Sequence, residues 1–367
     1  MEKMFDREIS VGDKKVNPVE LFKDYFNQYR VENNLSKKAL SFDKSISFEE
    51  KDKALNKVML SAVESALNVK KPEMLTFASW ANQTAVKEMT FAMISALIDA
   101  VLPDTLIDDI GLYTDVRTGG FGDSFKFDIK PRELFTVSES GHGKRTGRIQ
   151  KQFRGSMTLL PVNHEVTVET SVYKVLAGEE SLGEFTAKAI KAIETQITYD
   201  CYDAMHAALT ASAMPAELKL TGFTQDSAIR LATQVTAWNG NKKAMFVGTN
   251  IALSKILPAN ANYRYDIDSD YVKTAHVRDY FGYSLLELPQ VADYEDAEHF
   301  GLKLDDSTIY VISPTADKLV KLGLEGSVLS YVSKLDGNAN LTQDATFNKS
   351  WDAQVITSAI AGSITIA

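Results

Sequence analysis

The 367-residue sequence predicts an α+β fold, on the evidence of changes in its hydrophobic pattern. Residues 17–101 carry apolar side chains at helical spacing, with polar breaks between segments. From Phe125 to Val175 the period changes to two, which is typical of strands with one solvated face. A long helical pattern covers 181–211, and helices alternate with strands beyond residue 225. We therefore expect a helical N-terminal region, a long two-stranded excursion, a long helix, a compact α/β portion and terminal strands.

The composition excludes several classes of protein. The sequence has 40 Lys and Arg against 49 Asp and Glu, a net charge of −9, which excludes a generally basic protein that coats duplex nucleic acid. A hydrophobic content of 44% is sufficient for a sizeable core. The single cysteine, Cys201, cannot form an internal disulfide or a cysteine-based zinc site. The first ten residues are charged and lack an apolar segment, so we expect no secretory signal.

Capping signals predict the N-terminal helices. The segment Asn17-Pro18-Val19-Glu20 offers a capping side chain, a proline at the first helical position and a glutamate placed to reach back. The segment Ser47-Phe48-Glu49-Glu50 begins a second helix, which ends near residue 70. A third helical region covers 83–101 and is expected to end at Pro103. Its longest apolar run, residues 91–102, is too short to span a bilayer, so no membrane is expected as a partner.

Two alternating runs, Phe125–Lys130 and Val162–Val172, predict strands on either side of a turn-rich tip at 138–147. We interpret them as one two-stranded excursion of about 50 residues. A lone two-stranded ribbon is marginal in water. The excursion is therefore expected to pack on another part of this chain or on another molecule.

A full capping box, Ser181-Leu182-Gly183-Glu184, begins the long helix, which would be about 45 Å long. Cys201 lies on its apolar stripe and is expected to be a core residue. Beyond this helix the pattern predicts helices at 225–238 and 250–257, and strands at 243–247, 283–288, 308–312, 328–335, 351–356 and 361–366.

Charge is distributed unevenly along the chain. The excursion carries a basic run that contains no acid between residues 142 and 154, namely Lys144, Arg145, Arg148, Lys151 and Arg154. Residues 117–154 have a net charge of +5, so the remainder sums to −14. We expect the run to dock on an acidic surface of a neighbouring copy or a partner; a solvated hairpin face and polyanion binding are the alternatives. A possible acidic docking surface, or simply a surface loop, is formed by Asp293, Glu295, Asp296 and Glu298.

None of the short motifs predicts catalysis. The segment Gly141-His142-Gly143-Lys144 lacks the spacing of a phosphate loop and is followed by no predicted helix. Asp266, Asp268 and Asp270 resemble the start of a calcium loop, but Tyr271 occupies the position that requires glycine. His164-Glu165 is not followed by histidine at the spacing of a zinc protease. We expect no catalytic residues, no cofactor and no metal, and hence a protein that is not an enzyme.

The order of these elements is the most informative feature. It resembles the order of elements in the HK97-like fold, which is the fold of the major capsid proteins of tailed double-stranded DNA bacteriophages. Four segments resemble units of the same fold: KAMFVGTNIALSKIL, DYFGYSLLELPQV, STIYVISPTADKLVKLGLEG and ATFNKSWDAQVITSAIAGSITIA. The resemblance implies an N-terminal arm at 1–80, a helical segment of the P-domain at 81–116, an extended β-hairpin E-loop at 117–158, the P-domain at 159–240 with its spine helix at 181–211, the A-domain at 241–325, and P-domain strands returning to the A-domain at 326–367.

The same resemblance implies a structural virion protein, assembled in the host cytoplasm. Its copies would form pentamers and hexamers of an icosahedral shell that encloses packaged double-stranded DNA without sequence-specific binding. The expected partners are further copies of the chain, a portal, and possible scaffold or decoration proteins. Residues 17–70 lack sustained heptads and are expected to form an arm that contacts neighbours. The alternatives are an encapsulin-type shell around protein cargo, a soluble α/β enzyme, and a tail tube, against which the long helix argues.

Overall fold

The structure is a computed structural model of the whole chain. It describes residues 9–11, 14–33, 40–68, 70, 80–81, 83–131, 135–139, 142, 149–170, 174, 177, 179–212, 214–256, 276–293, 299–332 and 343–366. Helices and strands are both extensive, so the predicted α+β class is confirmed.

Four helices pack together around one large core. They are α1 (Pro18–Glu32), α2 (Phe48–Leu67), α3 (Thr84–Ile110) and α4 (Leu182–Thr210). The predicted caps of α1 and α2 are confirmed: the Asn17 side chain accepts from the Val19 amide, and Ser47 and Glu50 form a capping box. Both helices bury their apolar faces against α3 and α4. Helices α1 and α2 thus pack in the core of this chain, and the contact of the arm with neighbouring copies stays a prediction.

Helix α3 continues past Pro103 and ends only at Ile110, so the predicted end at Pro103 is wrong. Leu102, Leu106 and Ile110 are all buried, and their burial compensates for the backbone hydrogen bond that proline cannot donate. The helix has 27 residues and is long and apolar enough to cross a membrane, although 61% of its most apolar window is buried inside the structure. We interpret it as a core helix, because it packs on α2, α4 and a sheet.

A four-stranded sheet covers one side of these helices, in the order β3-β12-β13-β6. Its strands are β3 (Thr114–Gly119), β6 (Val162–Thr170), β12 (Val320–Val332) and β13 (Gln343–Val355). Strand β6 pairs antiparallel with β13, so this half of the predicted excursion belongs to a sheet with C-terminal strands rather than to the ribbon. Strands β12 and β13 are each longer than predicted, because they pair with each other over 13-residue spans.

The ribbon itself is formed by β4 (Phe125–Ile129) and β5 (Gly155–Leu159), which pair antiparallel. It leaves the four-stranded sheet after β3 and returns to it before β6. A separate short ladder joins β1 (Ile9–Val11) and β2 (Lys14–Val16).

The second core lies around a six-stranded sheet, in the order β7-β14-β11-β8-β10-β9. Its strands are β7 (Lys219–Thr221), β8 (Met245–Thr249), β9 (Asp279–Tyr280), β10 (Tyr283–Leu288), β11 (Thr308–Ile312) and β14 (Gly362–Thr365). Helix α5 (Gln225–Trp238) and the short α6 (Asn250–Ser254) pack on it. The predicted bounds of α5, β10 and β11 are confirmed, whereas α6 ends three residues earlier than predicted.

Helix α4 joins the two cores. Its Ser181 side chain accepts from the Glu184 amide, which is one of the two hydrogen bonds of the predicted capping box, and its apolar stripe is buried along the helical layer. Near its C-terminal end, Tyr202 lies 3.1 Å from the Tyr310 hydroxyl of β11, and Ser363 of β14 donates to the Leu209 carbonyl. One rigid element therefore positions the six-stranded sheet relative to the four-stranded sheet.

Candidate assembly surfaces

The base of the ribbon has a small core of its own. Phe125, Phe127 and Leu159 are buried together with Ile356, which follows β13. A Cβ atom on Gly323 of β12 would lie 3.0 Å from the Phe125 ring. The ring therefore packs directly on the backbone of the four-stranded sheet, and this contact fixes where the ribbon begins.

Arg117 secures the same base from β3. Its guanidinium lies 3.9 Å from the centre of the Phe127 ring, and its Nη1 donates to the Lys126 carbonyl at 3.0 Å. A cation over an aromatic face contributes about 0.5–1 kcal/mol at an exposed site. Sequence analysis counted Arg117 only as one charge of the basic segment, because the stacking partner comes from the strand geometry.

Beyond β4 and β5 the two arms of the ribbon remain side by side. The Gln150 side chain donates to the Thr136 carbonyl and accepts from the Thr136 amide, each at 2.7 Å. One side chain thus replaces a pair of ladder hydrogen bonds at this point.

The ribbon and its edges expose apolar side chains that a monomer would be expected to bury. They are Phe121 (88% exposed), Phe135 (61%), Val137 (99%), Ile149 (76%), Phe153 (67%), Met157 (44%), Leu160 (75%) and Val162 (63%). Several large exposed apolar side chains in one short excursion are typical of an interaction site. These residues were not singled out from the sequence, since alternation alone does not show which face is left uncovered.

The predicted basic docking residues lie on the same ribbon. Lys151 and Arg154 are exposed, next to Phe153. The other three, Lys144, Arg145 and Arg148, lie outside the described residues. The docking role of the five residues stays a prediction.

The predicted acidic surface is described only at Asp293. Its carboxylate lies 3.8 Å from the Lys303 ammonium. Glu295, Asp296 and Glu298 lie outside the described residues, as do Asp266, Asp268 and Asp270. Docking at this surface also stays a prediction.

Buried charges hold the N-terminal helices on the core, and sequence analysis missed them. Arg30 of α1 is 1% exposed and donates to both carboxylate oxygens of Asp109 on α3 at 2.6 Å. Lys51 of α2 is fully buried and contacts Asp24 of α1 at 2.7 Å. Breaking such a pair leaves an uncompensated buried charge, at a cost of about 3–5 kcal/mol.

Glu194 of α4 completes the Arg30 cluster. Its side chain is 1% exposed and lies 3.9 Å from Arg30 and 3.1 Å from Lys191. Burial raises the pKa of this carboxyl, and the two cations only partly oppose that effect. The cluster therefore joins three helices through groups whose charges depend on one another.

A second polar contact joins α4 to the four-stranded sheet. The indole of Trp351 donates to Asp200 at 2.7 Å, and the His164 ring stacks on the Trp351 ring with centroids 3.7 Å apart. Near the end of α4, the His206 ring nitrogen lies 2.6 Å from the Tyr310 hydroxyl. These histidines take part in packing contacts between elements.

Of the residues weighed for catalysis or metal binding, those that the structure describes form no such site. Cys201 is fully buried and burial raises the pKa of its thiol, in agreement with the predicted core position. Within the described part of the chain, no group of three or more His, Cys, Asp or Glu side chains could hold a metal ion.

Known proteins that are similar to this chain are solved structures with low sequence identity. No family model and no curated protein matches this sequence. Among solved structures, the chain is similar to the mature capsid of bacteriophage PhiM1 (9% identity, 70% of this chain and 86% of that chain, TM-score 0.45) and to the procapsid of satellite phage P4 with its size determination (Sid) protein (7% identity, 72% and 89%, TM-score 0.46). It is also similar to a virus-like particle from Pyrococcus furiosus (10% identity, 73% and 97%, TM-score 0.41).

Proposed function

We propose that this chain is the structural subunit of a phage capsid, which self-assembles into the pentamers and hexamers of an icosahedral shell around packaged double-stranded DNA. The observation that carries the proposal is the ribbon. Its base is anchored by buried aromatic residues, while its other described residues expose apolar and basic side chains. A two-stranded ribbon is marginal on its own, so this surface fits a contact with another subunit.

The architecture fits the proposed division of the chain into domains. The four-stranded sheet with α3 and α4 would form the P-domain, with α4 as the spine helix, and the six-stranded sheet would form most of the A-domain. Residues 117–158 would form the E-loop. Of the proposed N-terminal arm, α1 and α2 bury one face against α3 and α4 of their own chain, and their other faces would contact neighbours.

A contact is heterologous when a patch of one subunit binds a different patch of the next subunit. Such contacts can close into rings. A ribbon that projects from one subunit onto its neighbour is a contact of this kind. The charge distribution also suits a container for DNA, because a chain with a net charge of −9 does not hold phosphates tightly. The role is structural, and the proposal includes no catalytic step.

Negative-stain electron microscopy of the purified protein, together with light scattering for mass, tests the proposal. We expect closed shells tens of nanometres across, and nucleic acid inside shells isolated from a native source. Protein cargo in place of nucleic acid would favour an encapsulin-type shell. A uniform species of one to six copies under all conditions, also when a co-produced scaffold is supplied, would contradict a shell protein.

Charge reversal in the ribbon tests how the shell forms. The double substitution Arg148→Glu and Lys151→Glu is expected to block assembly while the circular dichroism spectrum and thermal transition of the subunit stay unchanged. Normal assembly of this variant would show that the basic run has no docking role.

A further inference from the structure

The first turn of helix α3 lacks the groups that usually satisfy a helix N-terminus. Gln83, at the N-cap, makes no side-chain capping hydrogen bond, and the first turn contains no acidic residue. Helical hydrogen bonding begins at the Lys87 amide, which donates to the Gln83 carbonyl at 3.1 Å. The three amides of residues 84–86 therefore have no acceptor within the helix. They form the positive end of the helix dipole, which attracts anions.

Lys87 adds a buried cation to this turn. Its side chain is 2% exposed, and its Nζ has no hydrogen-bond partner among the residues that the structure describes. The next residue, Glu88, is exposed and makes no hydrogen bond to this nitrogen. Burial lowers the pKa of the Lys87 ammonium, because nothing compensates for its lost hydration. A bound anion would supply the missing partner.

The direction of the Lys87 side chain brings it to the same amides. In an α-helix the Cα–Cβ bond tilts toward the N-terminus, so a long side chain lies over the turn that precedes it. For Lys87 that turn contains Gln83 and Thr84, where the unpaired amides begin. Gln83, Thr84 and Ala85 are exposed, so an ion can reach this turn from solvent.

A second helix begins at the same end of the helical layer. Phe91 of α3 and Phe185 of α4 both pack on the Phe347 ring of β13, with centroids 6.0 and 6.4 Å apart. Both residues lie near the beginning of their helices. At the start of α4, the Ser181 side chain and an acidic residue in the first turn satisfy the amides and the dipole. The positive ends of two helices thus lie where Lys87 is buried, and only α4 carries its own compensation among the described residues.

We propose that the first turn of α3 binds a small oxyanion of the phosphate or sulfate type. The amides of residues 84–86 and the Lys87 ammonium would donate to its oxygens. A tetrahedral oxyanion has several acceptor oxygens, and hydrogen bonds to a charged acceptor are stronger than those between neutral groups. The site lies within a single subunit, so it does not depend on the proposed shell function.

Isothermal titration calorimetry of the purified chain with sodium phosphate tests the proposal, with sodium chloride holding the ionic strength constant. We expect the wild type to bind one phosphate per subunit. Lys87→Met should bind it about tenfold more weakly or worse, because a hydrogen bond to a charged group is lost. Lys53→Met, at an exposed position in α2, is the matched control and should bind as the wild type does. No binding by the wild type, or equal affinity in Lys87→Met, would overturn the proposal.

Urea denaturation separates an ion-binding lysine from a buried amine without a ligand. In chloride alone, Lys87→Met should be more stable than the wild type, because methionine fills a similar volume without a charge to desolvate. Phosphate at ten times its dissociation constant should lower the unfolding equilibrium constant of the wild type about elevenfold. The same addition should leave Lys87→Met almost unchanged. A stability difference that does not depend on phosphate would show that Lys87 has no anionic ligand, and the proposal would be wrong.

Gln83→Asp provides a further measurement that leaves Lys87 in place. The new carboxylate at the N-cap would accept from the amides of the first turn and repel a second anion. We expect this variant to be more stable than the wild type in chloride and to bind phosphate more weakly in calorimetry. Unchanged phosphate affinity in Gln83→Asp would place the ion elsewhere on the protein and contradict the assignment to α3.

Discussion

The helical core buries the same kinds of residue that the ribbon exposes. In the core, Phe22 and Arg30 are both almost fully buried, and the charge of Arg30 is matched by Asp109. In the ribbon, Phe153 and Arg154 are adjacent and exposed. A residue type therefore does not decide burial, because what matters is whether the chain itself supplies the partner. The core is complete within one chain, whereas the ribbon offers surface that another molecule would complete.

The largest expected effect on stability comes from replacing an arginine of the helical core, and an arginine of the ribbon is the comparison. Arg30→Ala leaves Asp109 without its cation and the buried Glu194 with Lys191 alone, so the free energy of unfolding should fall by about 3–5 kcal/mol. Arg154→Ala, in the ribbon, should change it by less than about 0.5 kcal/mol. Urea denaturation followed by circular dichroism measures both. Equal losses for the two variants would remove the contrast between the regions.

Two phenylalanines, one buried and one exposed, allow the same comparison within the ribbon. Phe127 is buried at the anchored base, so Phe127→Ala should cost about 3 kcal/mol in local stability and detach the ribbon. Phe153→Ala should leave the unfolding transition unchanged and weaken assembly only. Amide hydrogen exchange across β4 and β5 measures the first effect, and light scattering measures the second. Retained protection in Phe127→Ala would show that the ribbon is anchored elsewhere.

The smallest expected effect is a change with pH at Glu194. Since the folded-state pKa of this carboxyl is raised, the folded protein holds the proton to a higher pH than the unfolded chain does. The contribution to stability is full below the ordinary glutamate pKa of about 4.3 and decreases as the pH rises through the folded-state pKa. Glu194→Gln should therefore gain stability relative to the wild type as the pH rises from 4 to 8.

Urea denaturation at several pH values measures this difference in stability. Glu184→Gln, an exposed position on the same helix, is the matched control. A constant difference between Glu194→Gln and the wild type over the whole range would contradict a raised pKa in the core cluster.

Local signals in the sequence predicted much of the secondary structure. The caps at Asn17, Ser47 and Ser181 are all formed, and the bounds of α5 are as predicted. A cap or an apolar stripe acts within one or two turns, so it can be recognised without knowledge of distant residues. The order of the elements, and with it the α+β class, followed from these signals alone.

Only the tertiary structure decided which distant residues meet. Strand β6 lies beside β13 because Thr167 pairs with Thr346, 179 residues away, and no alternation within β6 contains that information. Helix α3 passes Pro103 because Leu106 and Ile110 beyond it are buried by other elements. Arg30 and Lys51 are buried because Asp109 and Asp24, on other helices, pair with them. Long-range contacts are made by the fold as a whole, so they leave no mark in a short stretch of sequence.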